Sequence, residues 1–108
     1  MEEYQIRITR QARGHLREIR SYIAKELLAP IAAKNTIAAL KAEMQSLKKM
    51  PARIRLTPEQ SWYGQGVRRV RVNNYYIYFW VDEENKKVQI IGVIYVCRDQ
   101  ARQLEQMR

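Results

Sequence analysis

Three arginines, Arg68, Arg69 and Arg71, alternate with valines and run straight into the tyrosines Tyr75, Tyr76 and Tyr78. Arginine holds a phosphate by paired N–H groups and stabilises charge that develops on it. Tyrosine stacks on exposed bases, and when its surroundings tune it, it can also give or take a proton. Together they suit binding of a polyanion. They also suit metal-free cleavage of RNA, in which the 2′-hydroxyl attacks the adjacent phosphate. For that chemistry the candidate residues are Arg68, Arg71, Tyr76, Tyr78 and Arg98, with Tyr95 nearby. Arg13, Arg17, Arg20, Arg53, Arg55 and Arg69 are candidates for contact with a target or nucleic acid. The same pattern also describes an aromatic core with a solvated basic edge, because long basic side chains cover apolar surface without any ligand.

The other common chemistries lack their residues. One histidine and one cysteine cannot assemble a Cys/His zinc site, and neither a phosphate-binding glycine loop nor a dinucleotide fingerprint is present. No metal or cofactor is expected. His15 reads as a structural or surface residue on a helix, and Cys97, closing an apolar strand, as a small buried one. The net charge of +9 favours a polyanionic partner: nucleic acid, an acidic protein or a membrane surface. The acidic start Met1-Glu2-Glu3 carries no signal-peptide core, and no apolar run approaches the ~20 residues of a membrane span. A single soluble, cytoplasmic domain over residues 1–108 is expected.

The elements that must position these residues follow from period. Glu3 to Ile8 alternates as a half-buried strand. Thr9 then caps a helix with an apolar stripe at Ala12, Leu16, Ile19, Ile23 and Leu27. Gly14 lowers helix propensity there, and close packing is one reason it could be kept. Leu28-Ala29-Pro30 breaks this helix, and Pro30 opens a second from about Ile31 to Lys49, with Ala33, Ile37, Leu40, Met44 and Leu47 inward. So short a link makes an antiparallel helical hairpin. Arg10, Arg13, Arg17 and Arg20 fall on one side of the first helix, and Lys34, Lys41 and Lys48 on one side of the second.

Residues Met50 to Gly66 read as a loop, with Ile54, Leu56 and Trp62 pinning it to the body. Gly66 to Val81 reads as a β-hairpin around Asn73-Asn74, a pair that suits the positive φ of a type I′ turn. In its second strand Tyr75, Ile77, Phe79 and Val81 share one face, and Tyr76, Tyr78 and Trp80 the other. After a polar turn at Asp82 to Lys86, the strand Lys87 to Cys97 is apolar on both faces: Val88, Ile90, Ile94 and Val96 against Ile91, Val93 and Tyr95. Such a strand belongs in the middle of a sheet. Asp99 is a candidate cap for a short final helix with Ala101, Leu104 and Met107 inward. The expected class is α+β, in the order β-α-α-β-β-β-α: a mostly antiparallel four-stranded sheet with the N-terminal helical hairpin packed on one face.

Three stretches resemble toxins of the RelE/ParE superfamily from bacterial type II toxin–antitoxin systems. They are Tyr4-Gln5-Ile6-Arg7-Ile8-Thr9 with the helix after it, Val67 to Phe79, and Val93-Ile94-Tyr95-Val96-Cys97-Arg98-Asp99. The resemblance implies a growth-arresting toxin neutralised by an acidic antitoxin in a hetero-oligomer. Its target would be DNA gyrase for a ParE-like member, or mRNA on the ribosome for a RelE-like endoribonuclease. RelE-like relatives commonly carry arginine after the tyrosine that opens the aromatic strand, where this chain has Tyr76, and histidine is frequent in the wider family where Cys97 stands. With two helices of about five turns each, this favours the ParE-like reading. A non-toxic nucleic-acid-binding module using the same basic face is the alternative from another class.

Overall fold

The computed structural model describes residues 3–49 and 66–96. The expected loop at Met50 to Gly66, with Arg53, Arg55 and Trp62, lies outside the described residues but for Gly66. So do Cys97, Arg98, Asp99 and the expected final helix. The described elements are β1 (Gln5–Ile8), α1 (Arg10–Ser21), α2 (Pro30–Ser46), β2 (Val67–Val72), β3 (Tyr75–Asp82) and β4 (Lys87–Tyr95). One four-stranded sheet has the order β1-β4-β3-β2. β2, β3 and β4 form an antiparallel meander, and β1 joins β4 in parallel. The strand with two apolar faces thus sits between β1 and β3.

Thr9 makes the first junction. Its Oγ1 accepts from the amide of Ala12 at 3.2 Å, capping α1, and donates to the carbonyl of Ile90 at 2.9 Å. Strand, helix and central strand therefore meet at one hydroxyl. Ala12, Leu16, Leu40, Met44 and Leu47 then pack on Ile77, Phe79, Val88, Ile90 and Val93 as one core on the helical face of the sheet. Truncating a buried aromatic such as Phe79 in a core like this costs about 3–5 kcal/mol.

Beyond Ser21 the first helix continues as a π-helical turn, Tyr22–Glu26, closed by the amide of Leu27 on the carbonyl of Tyr22. The wider turn advances the stripe out of phase, so Leu27, expected inward, is exposed. The amide of Ala29 then reaches the carbonyl of Ile23 at 3.1 Å, and Leu28 between them has φ 51°. The bond spans one residue more than the six-to-one bond of a Schellman end, and Leu28 takes the left-handed position that glycine usually occupies at a helix end. Gly14 needs another account than close packing: a Cβ there would meet only Nη2 of Arg17, at 3.9 Å.

Two expectations about the sheet need correction. Of the turn residues Asn73 and Asn74, only Asn73 has positive φ, 54°, which is the φ pattern of a type II′ turn rather than type I′. In β4 the pairing with β3 shifts: Tyr78 faces Gly92 and Phe79 faces Ile90, leaving Ile91 as the extra residue of a bulge. The bulge changes parity. Val88 and Ile90 share the helical face with Val93, while Ile94 packs with Ile91 on the opposite face.

Candidate functional site

The hairpin β2–β3 places the basic and aromatic residues by register. Arg69 pairs with Tyr78, and Arg71 with Tyr76, so these four project from the face opposite the helices. Arg68 pairs with Phe79 and lies with Val70 and Val72 on the helical side. The structure therefore brings Arg69, Arg71, Tyr76 and Tyr78 together and puts Arg68 on the other side of the sheet.

On the open face, the guanidinium carbon of Arg69 sits 4.0 Å from the centroid of the Tyr76 ring, a cation–π contact. Its Nη1 points at the Tyr78 hydroxyl at 3.5 Å, long for a hydrogen bond. The Tyr76 and Tyr78 rings lie 6.2 Å apart at 59°. Tyr78 is fully buried with Val67 and Ile94, so it supports the site more than it presents itself. Tyr76 is half-buried, and Arg71 is exposed, with Nε donating to the carbonyl of Asn73 at 2.9 Å. The accessible surface is thus a fixed guanidinium on an aromatic ring beside a second, turn-anchored guanidinium. That arrangement can grip a carboxylate, a phosphate or a planar group.

Arg13, Arg17 and Arg20 are not part of this face. They line a groove with Lys41, together with Ile8 of β1, Leu16 and Ile37. Arg53, Arg55 and Arg98 fall outside the described residues. Among the described residues, no group of three or more His, Cys, Asp or Glu side chains is placed to hold a metal ion, and no helix is long and apolar enough to cross a membrane.

A second region was not visible in the sequence. A cavity of about 1070 Å³ opens between the end of the first helix, the β2–β3 turn and the end of β4, lined by Ile19, Tyr22, Leu27, Tyr75 and Tyr95 among others. Leu28 and Ile31, which follow Leu27 in the chain, are 83% and 76% exposed. The run of Leu27, Leu28 and Ile31 across a helix break was the available signal. His15 lines the same cavity, and its Nδ1 accepts from the amide of Val93 at 3.1 Å. β1 ends opposite Ile90, so further along that edge of β4 the imidazole takes the place of a strand partner.

Residues 6–99 match the sequence model of a family described as the ParE toxin of the type II toxin–antitoxin system parDE. The chain belongs to the ParE toxin family. It is, accordingly, a toxin of a type II toxin–antitoxin system. Among solved structures, the ParE-family fold is similar to the chromosomal ParDE toxin–antitoxin system from P. aeruginosa, at 20% identity and TM-score 0.72, covering 87% of this chain and 97% of that one. It is also similar to the toxin–antitoxin complex RelBE2 from Mycobacterium tuberculosis, at 20% identity and TM-score 0.60, over 86% and 98% of the two chains. A mutant of E. coli toxin RelE in the free state matches at 14% identity and TM-score 0.65, over 97% and 93%. No curated protein sequence matches significantly. At these identities the solved structures speak for the fold alone.

Proposed function

We propose that this ParE-family toxin arrests growth by binding DNA gyrase, and that an acidic antitoxin neutralises it in a toxin–antitoxin hetero-oligomer. The observation that carries the gyrase reading is the separation of Arg68 from Arg71 across the sheet. Cleavage of RNA without a metal asks several cations to converge on one phosphate. Here Arg69 is engaged by the Tyr76 ring and Arg68 is turned towards the helices. The face that remains, Arg69, Arg71 and Tyr76, suits contact with a macromolecular surface better than phosphodiester chemistry. An acidic antitoxin follows from the net charge of +9 and from the toxin–antitoxin complexes among the similar structures. The site of action on this reading is the cytoplasm.

Induced expression in a bacterial host, with the DNA-damage response and mRNA ends followed together, tests the reading. Gyrase poisoning gives an induced damage response with intact messages. Codon-phased cuts in translated messages would instead establish the ribosome-dependent endoribonuclease, with Arg71, Tyr76 and Arg98 at its site. Unimpeded growth would leave the non-toxic nucleic-acid-binding module.

A further inference from the structure

A single exposed apolar side chain is ordinary on a protein surface, whereas a group of them in one place is not. Among the described residues six large apolar side chains are exposed, and five of them belong to one end of the molecule. Tyr22, Leu27 and Tyr95 line the large cavity at the end of the first helix, and Leu28 and Ile31 follow Leu27 through the turn into α2. The three aliphatic ones are the most exposed: Leu27 at 56%, Leu28 at 83% and Ile31 at 76%.

Folding does not account for this turn. Leu28 stands at φ 51°, a conformation that glycine takes without penalty, and its side chain is left in water. Ile31, the second residue of α2, is β-branched and buries little of itself in return. The charges around them are mostly of one sign. From Arg20 to Lys34 the chain holds three cations, Arg20, Lys25 and Lys34, against one acid, Glu26. Lys25 and Lys34 are exposed, and among the described residues neither has an acid at ion-pair distance. The apolar turn therefore has a cation before it and a cation after it.

Three residue types select the partner. Exposed aliphatic side chains gain nothing on a sugar–phosphate backbone, and a second copy would bring the same cations and another net charge of +9 against the turn. An anionic lipid surface answers all three types at once. Aliphatic side chains enter the acyl boundary. Tyrosines such as Tyr22 and Tyr95, each an apolar ring with a polar tip, settle at headgroup level. Lysines lay their stems on the apolar layer and hold their ammonium groups at the lipid phosphates. We propose that this end of the chain docks on an anionic lipid surface, with Leu27, Leu28 and Ile31 entering it and Lys25 and Lys34 meeting the headgroups. The contact is peripheral, since no helix among the described residues is long and apolar enough to cross a membrane.

The test is co-sedimentation of the purified full chain with vesicles of phosphatidylglycerol and phosphatidylcholine in equal parts, against vesicles of phosphatidylcholine alone. The chain is expected to sediment with the anionic vesicles. Leu28→Asn with Ile31→Gln, which leaves every charge in place, should weaken that binding by about 10-fold or more. Lys25→Gln with Lys34→Gln should weaken it by about 10-fold at low salt. Neither pair should lower Tm, because all four side chains are exposed and asparagine tolerates the left-handed position of Leu28. Undiminished binding by the Leu28→Asn, Ile31→Gln variant would show attraction by net charge alone and overturn the proposal, as would equal sedimentation with the neutral vesicles. A concentration-dependent dimer in sedimentation equilibrium, abolished by the same variant, would overturn it in favour of a second copy. The readout is on the purified chain and holds whatever the target of the toxin.

Discussion

The guanidinium carbon of Arg69 lies 4.0 Å from the centre of the Tyr76 ring, diagonally across the β2–β3 hairpin. The contact uses the face of the ring and leaves the hydroxyl out of it. A cation over a ring at a partly exposed site is worth about 0.5–1 kcal/mol, enough to hold the arginine in one pose.

It follows that Tyr76→Phe should retain growth arrest within about twofold, since the ring face survives. Tyr76→Ala should weaken it by releasing Arg69. A phenol that moves a proton in catalysis would instead cost about 10²–10⁴-fold on conversion to Phe. The dose of inducer needed to halt growth, corrected for protein level, separates the two.

His15 ties α1 to β4 through the amide of Val93 at 3.1 Å. An Nδ1 that accepts carries no proton, so the imidazole here is neutral with its proton on Nε2. His15→Phe leaves the Val93 amide without this acceptor, and urea denaturation should show a loss of about 1–3 kcal/mol. A loss below ~0.5 kcal/mol, the range of an ordinary surface change, would mean that water replaces the bond without cost.

Leu28 holds a left-handed backbone conformation, φ 51°, with its side chain 83% exposed. Leu28→Gly should stabilise the fold by about 1 kcal/mol, because glycine meets no Cβ penalty there. The midpoint of thermal unfolding should rise by about 4–8 °C for that gain. An unchanged or lower midpoint would show that the leucine side chain contributes packing that offsets its strain.

Tyr4 donates to a Glu83 carboxylate oxygen at 2.6 Å. That hydrogen bond, first among its causes, holds the Tyr4 pKa above its ordinary 10.0. The folded value is raised, so the contribution to stability is complete below the unfolded value and is lost as pH rises through the folded one. Glu83→Gln should bring the Tyr4 titration, followed by NMR, back towards 10.0. An unmoved titration would show that the pair does not persist in solution.

Much of this was legible in residue order. Thr9 announced the helix cap, and the doubly apolar run from Val88 announced the central strand. Alternation put Tyr76 with Tyr78 and Trp80, away from Ile77 and Phe79, and register alone should also have separated Arg68 from Arg71, three residues apart. Reading the arginines as one group by type hid that parity. The bulge at Ile91 left no mark, because apolar residues stand on both sides of the slip and either phase looks buried. The role of His15 was equally silent: its partner is a backbone amide 78 residues away, and an amide has no residue type to read. The convergence of Lys41 with Arg13, Arg17 and Arg20 needed the crossing of two helices, which spacing within each helix does not supply.

The most direct test of the gyrase reading is DNA supercoiling by purified gyrase in the presence of the purified toxin. The account predicts that supercoiling falls as toxin is added, and that Arg69→Ala and Tyr76→Ala restore it. Normal supercoiling at a large molar excess of folded toxin would contradict it.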